Sequence, residues 1–279
     1  MNFGERLDEV IAKQGSLLSI GLDIDVEKIP PFLNDFESPL LEFNKSIINA
    51  TAELVCAYKL NLAFYEAYGI QGWRVLRKTL ELIPPPVLKI ADGKRADIGN
   101  SSRKYAHALF NELDFDAVTV NPYLGFDAIE PFLANSLKGV FVLCLTSNPG
   151  AADFQFLKVN QKFLFEIVAE KVVQWNLNGN CGLVVGATQA EQISRIRAIA
   201  PNLPLLIPGI GAQGGDLKTA ISYGLAQNNG RIIINSGRSI LYTSQQLDFA
   251  QQAYQQAVKL RDEINHIRSK VVTKSRKKN

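Results

Sequence analysis

Short apolar runs rich in β-branched residues alternate along this chain with stretches of helical periodicity. Eight runs read as strands: Leu17–Asp25, Ala57–Phe64, Pro86–Lys94, Ala117–Tyr123, Gly139–Ser147, Gly182–Thr188, Leu203–Gly211 and Arg231–Arg238. Most are apolar at successive positions, as a strand covered on both faces requires. The intervening pattern switches period. Leu40–Cys56 carries Leu41, Phe43, Ile47, Ile48 and Leu54, and Gln161–Trp175 carries Phe163, Leu164, Ile167, Val168, Val172 and Trp175. Gln189–Ala200 places Ile193, Ile196 and Ile199 three apart, which predicts one buried helix face. Helices are also expected over Phe3–Lys13, Ile98–Asn111 and Ser244–Ile267, with Asp127 and Thr188 as helix starts.

Eight strands, each followed by a helix, predict a parallel sheet covered by helices, and eight repeats close naturally as a (β/α)₈ TIM barrel. The alternative is a doubly wound open sheet. No Gly-x-Gly-x-x-Gly follows the first strand, which weakens its dinucleotide-binding version. With no internal linker or low-complexity segment, residues 1–262 are expected to form one barrel domain. Residues 263–279 are expected to hold the end of the last helix and a basic tail.

Composition narrows the class. The chain has 279 residues, 47% hydrophobic and 20% charged, which is ordinary for a globular domain with a large core. No apolar run reaches the roughly 18 residues of a membrane span. The charged N-terminus, Met1 to Glu9, lacks an apolar signal region, so a cytoplasmic protein is expected. Cys56, Cys144 and Cys181 are far apart with apolar neighbours and read as core thiols. His107 and His266 are isolated, so no metal site is expected. The net charge of +3 is misleading: Arg268, Lys270, Lys274, Arg276, Lys277 and Lys278 all follow the last acid, Glu263. Without them the rest of the chain is net negative. Such a tail can bind nucleic acid, but no basic-aromatic patch elsewhere supports this, and a frayed solubilising end is the expectation.

The chemistry collects at strand ends. Asp92-Gly93-Lys94-Arg95-Ala96-Asp97 closes the third strand, and alternation puts Asp92 and Lys94 on one face. Lys59 and Asn61 share a face of the second strand, Asp23 follows the first, and Ser147 with Pro149-Gly150 follows the fifth. Pro208-Gly209-Ile210-Gly211-Ala212-Gln213-Gly214-Gly215 and Asn235-Ser236-Gly237-Arg238-Ser239 end the seventh and eighth. Each has an ordinary reading: a snorkelling lysine, a turn aspartate, an acid beginning a helix. Yet in barrels reactive groups gather at the carboxyl ends of strands, and the last two loops often hold phosphate on backbone N–H groups. Arg238 adds a bidentate anion contact, and Gln213 an amide donor.

Asp92-x-Lys94-x-x-Asp97-Ile98-Gly99, with Gly21-Leu22-Asp23, Lys59, the Ser147 segment and the two glycine loops, resembles the orotidine 5′-phosphate decarboxylase family, in its longer bacterial form. The resemblance covers nearly the whole barrel. It implies decarboxylation of orotidine 5′-phosphate to uridine monophosphate (UMP), the last step of UMP biosynthesis, without metal or cofactor. It also implies a homodimer. By resemblance, Lys59, Asp92, Lys94 and Asp97 form an alternating charged array, with Asp97 reaching the partner's site and Lys94 protonating C6. Asp23 and Lys59 would hold ribose, Ser147 the pyrimidine, and Gln213, Gly237 and Arg238 the phosphate. Ser101 stands where the family pattern usually has threonine and keeps the hydroxyl. Lys89 departs from that pattern too, and its side chain is expected at a helix boundary or in solvent. Two rivals remain: a magnesium-dependent sugar-phosphate barrel of similar motif, which needs further carboxylates at strand ends where strand two offers Lys59 and Asn61, with Glu66 only later, and a nucleotide-binding scaffold without chemistry.

Overall fold

The computed structural model describes residues 1–210, 216–225 and 231–276. Eight parallel strands close a barrel: β1 (Leu18–Gly21), β2 (Ala57–Asn61), β3 (Leu88–Arg95), β4 (Ala117–Val120), β5 (Gly139–Leu145), β6 (Cys181–Val185), β7 (Leu205–Pro208) and β8 (Ile232–Ser236). Each pairs with its sequence neighbours, and β1 pairs with β8 to complete the ring. The open-sheet alternative is thereby removed. Helices Pro39–Thr51, Gly69–Leu82, Gly99–His107, Phe126–Leu133, Leu164–Trp175, Ala190–Ile199, Leu217–Gly224 and Phe249–Arg276 follow the strands in order.

The strands are shorter than their apolar runs predict, mostly at the carboxyl end. The ladder of β1 stops at Gly21, two residues before Asp23, and that of β8 at Ser236, two before Arg238. Apolar character continues past the last paired residue: Leu22, Ile24 and Leu62 lie just beyond the ladders and are buried. The last helix runs to Arg276 rather than fraying after Ile267, and Ile264 is fully buried against the barrel. Asp127 lies in the first turn of Phe126–Leu133 behind Gly125, and Thr188 sits in a 3₁₀ turn preceding Ala190–Ile199.

The amino end of the barrel is built for stability. The helix Phe3–Gln14 starts with a capping box between Asn2 and Glu5. It pushes Phe3 into the barrel floor, edge-on to Phe141 at 5.9 Å. A Cβ at Gly139 would lie 2.4 Å from that ring, so only glycine admits it. Nearby, the fully buried Arg197 donates to the carbonyls of Gly224, Ala200, Pro201, Leu203 and Arg231. It thereby ties one helix to the starts of β7 and β8. Burial pulls its pKa down to about 10, so it remains charged at neutral pH. Lys89 at the start of β3 pairs with Asp114 at 3.0 Å, which accounts for a lysine in an otherwise apolar strand. The three cysteines are buried free thiols, and burial pushes Cys56 and Cys181 up to about 12. Among the described residues, no helix is long and apolar enough to cross a membrane.

Candidate functional site

The carboxyl ends of the strands enclose a cavity of about 410 Å³, within the usual range for a small-molecule site. Its polar wall is a chain of alternating charge. The Lys59 ammonium donates to Asp92 Oδ2 at 2.8 Å and lies 3.5 Å from Asp23 Oδ1. The Lys94 ammonium donates to Asp92 Oδ1 at 2.6 Å. Asp23 Oδ1 also accepts from the backbone amide of Asn61 at 3.2 Å. Lys59 is only 3% exposed and Asp92 9%. Burial disfavours the Lys59 ammonium, but the Asp23 and Asp92 carboxylates outweigh it and hold its pKa above the ordinary value. Burial likewise opposes the Asp92 carboxylate, yet the Lys59 and Lys94 ammoniums hold its carboxyl far below the usual range. Both groups are therefore ionised at neutral pH.

Asp92 and Lys94 do share the cavity, but plain strand alternation is not what brings them together. Lys94 has φ +47°, in the left-handed region that few residues other than glycine adopt. The β3–β4 register breaks between Ala91 and Arg95. The strand bulges there and turns the Lys94 stem so that its ammonium returns to Asp92.

Across the cavity lie Ser147 and Arg238, with Gly209 and Gly237 just past the carboxyl ends of β7 and β8. Gly209, at φ +101°, turns the chain out of β7 in a conformation suited to glycine. Gly186 lets the loop after β5 approach, since a Cβ there would sit 2.8 Å from the Ser147 amide nitrogen. Arg238 begins the short helix Arg238–Leu241 and is exposed toward the cavity mouth. Leu143, Val184 and Leu206 supply an apolar wall. One end is thus cationic, one side apolar, and the opposite side an ion-paired array.

Of the residues singled out from sequence, Asp23, Lys59, Asn61, Asp92, Lys94, Ser147, Gly237 and Arg238 line this cavity. Asp97 and Ser101 are not part of the lining. Asp97 is half-buried beyond β3, its carboxylate accepting from the Ile98 amide at 2.8 Å, and Ser101 is exposed on the following helix. Gln213 lies outside the described residues. Glu66 pairs with Arg95 instead of entering the cavity. Thr119, which has no role assigned from sequence, and Asn235, which opens the polar end of the eighth strand, are both buried and both in the lining. Threonine is a good strand former, so Thr119 within Ala117–Val120 carried no signal of its own. Asn235, an amide inside an apolar run, was the detectable one. It accepts a hydrogen bond from Ser19 at 3.1 Å.

The model of the Orotidine 5'-phosphate decarboxylase / HUMPS family matches residues 16–253. An orotidine 5'-phosphate decarboxylase of Dehalococcoides mccartyi is 51% identical over 274 residues, covering 97% of this chain and 100% of the relative. One from Flavobacterium johnsoniae is 48% identical over 266 residues, covering 94% of this chain and 97% of the relative. Among solved structures, the Leishmania donovani OMP decarboxylase superposes with a TM-score of 0.85 at 37% identity, covering 96% of this chain and 99% of that one. With the closed barrel and the charged array at its carboxyl end, these matches place the chain in the orotidine 5′-phosphate decarboxylase family.

Proposed function

We propose that this barrel decarboxylates orotidine 5′-phosphate to UMP and carbon dioxide, the last step of UMP biosynthesis, with Lys94 as the group that meets the reacting carbon. The observation that carries the reading is the Lys59–Asp92–Lys94 array on one wall of a cavity whose other end holds Arg238. Breaking the C6–carboxylate bond leaves its electron pair on C6, a carbon that delocalises charge poorly. A fixed ammonium beside that carbon stabilises the developing anion electrostatically. It then delivers a proton to C6, and the neutral amine regains one from solvent. Asp92 holds the ammonium in place through the 2.6 Å bond.

The remaining roles follow the shape of a nucleotide. Arg238, with the backbone of Gly237 and the amide of Gln213, would hold the phosphate. Asp23 and Lys59 would hold the ribose hydroxyls, and Ser147 the pyrimidine. Gripping the distant phosphate supplies binding energy that orients the base. Asp97 belongs to the same motif yet lies outside its own cavity, beside Ile98 at 60% exposure. Tyr123 on the loop after β4 is 83% exposed. These features support a homodimer in which Asp97 completes the partner's site.

No step calls for a cofactor. The magnesium-dependent reading needs carboxylates free to bind a cation. Here Asp23 and Asp92 already accept from Lys59, and Glu66 is engaged by Arg95. The test is incubation of chelator-treated protein with orotidine 5′-phosphate while following its ultraviolet absorbance. Turnover without added metal is expected. No turnover, or turnover that returns only with magnesium, would overturn the reading.

A further inference from the structure

Strands β3 and β4 pair at Ile90↔Ala117 and Ala91↔Val118, and next at Arg95↔Val120. Three residues of β3, Asp92, Gly93 and Lys94, therefore stand opposite the single residue Thr119. A ladder interrupted in this way leaves backbone groups without their usual partners. The Thr119 side chain takes the place of one. The Lys94 amide donates to Thr119 Oγ1 at 3.0 Å, and the hydroxyl lies 2.9 Å from Asp92 Oδ1. A hydroxyl has one proton, and Oγ1 already accepts from the amide, so that proton goes to Asp92. Thr119 is 1% exposed, so water does not compete for either bond.

We propose that Thr119 is a positioning residue for proton delivery: its hydroxyl holds the left-handed turn at Lys94 and orients Asp92, and so aims the Lys94 ammonium. The inference rests on Lys94 as the proton donor proposed above. A left-handed backbone at a non-glycine residue is strained and persists only where the surroundings enforce it. The amide bond to Oγ1 does so here. The bond to Asp92 fixes the same oxygen that receives Lys94 Nζ. Valine at 119 would fill the same space but strand the Lys94 amide and remove one donor from Asp92.

The experiment compares wild type, Thr119→Val and Thr119→Ser for turnover of orotidine 5′-phosphate, UMP binding and unfolding midpoint, with Thr119→Ala made as well in case the valine variant does not fold. A displacement near 1 Å at a reacting group costs about 10²-fold. The variants lacking the hydroxyl should therefore lose kcat by about that factor, with UMP affinity within about threefold of wild type. Thr119→Ser should recover most of the loss. The proposal is overturned if the hydroxyl-free variants keep wild-type kcat, lose UMP binding in parallel with kcat, or match Thr119→Ser. Inactive wild-type protein would instead bring down the decarboxylase reading, and this proposal with it.

Discussion

Lys59 Nζ and Asp92 Oδ2 meet at 2.8 Å inside the barrel, both nearly closed to solvent. Such a pair serves less as glue than as a fixed electrostatic frame, since removing either partner leaves a buried charge. Asp92→Asn should destabilise the fold by about 3–5 kcal/mol at neutral pH in urea unfolding.

The size of that loss should depend on pH. The folded-state pKa of Asp92 is depressed, so its contribution is fully present above the ordinary aspartate value of about 3.9 and is lost as pH falls toward the folded value. The folded-state pKa of Lys59 is raised, so its contribution is full below about 10.4 and is lost as pH rises toward the folded value. The gap between wild type and Asp92→Asn should stay flat from about pH 5 to 9 and narrow below about pH 4. A gap unchanged into acid would show that the pairing does not hold Asp92 ionised.

Lys94→Ala should lower kcat by at least about 10³-fold, because it removes both the charge beside C6 and the proton source. UMP affinity, measured by calorimetry, should survive. Normal turnover by this variant would refute the proton-donor role.

Arg238→Ala should act mainly on binding. A charge-assisted hydrogen bond to phosphate contributes about 1.5–3 kcal/mol, so KM should rise roughly 10- to 100-fold. Unchanged KM would remove Arg238 from the phosphate site.

Asp97→Ala and Lys94→Ala subunits should each be nearly inactive alone and complement one another when mixed. If Asp97 serves the partner's site, each mixed dimer regains one intact site, and random reassortment restores about a quarter of wild-type activity. Absence of recovery in verified mixed dimers would confine Asp97 to its own subunit.

The barrel was legible in the chain because eight apolar runs and the helices between them encode burial locally: period and composition alone say which faces must leave water. The motif residues were legible for the related reason that Lys59, Asp92 and Lys94 are polar where a strand end should be apolar, a contrast visible without coordinates. Three-dimensional closure decided the rest. It brought Arg238 to the cavity of Lys94, 144 positions earlier, gave Lys89 its Asp114 partner, tied Glu66 to Arg95, and left Asp97 outside its own cavity. It also set the bulge at Lys94 and gave Thr119 two hydrogen bonds. None of these has a local signature, because a hydrogen bond between strands depends on register, and register is a property of two segments at once.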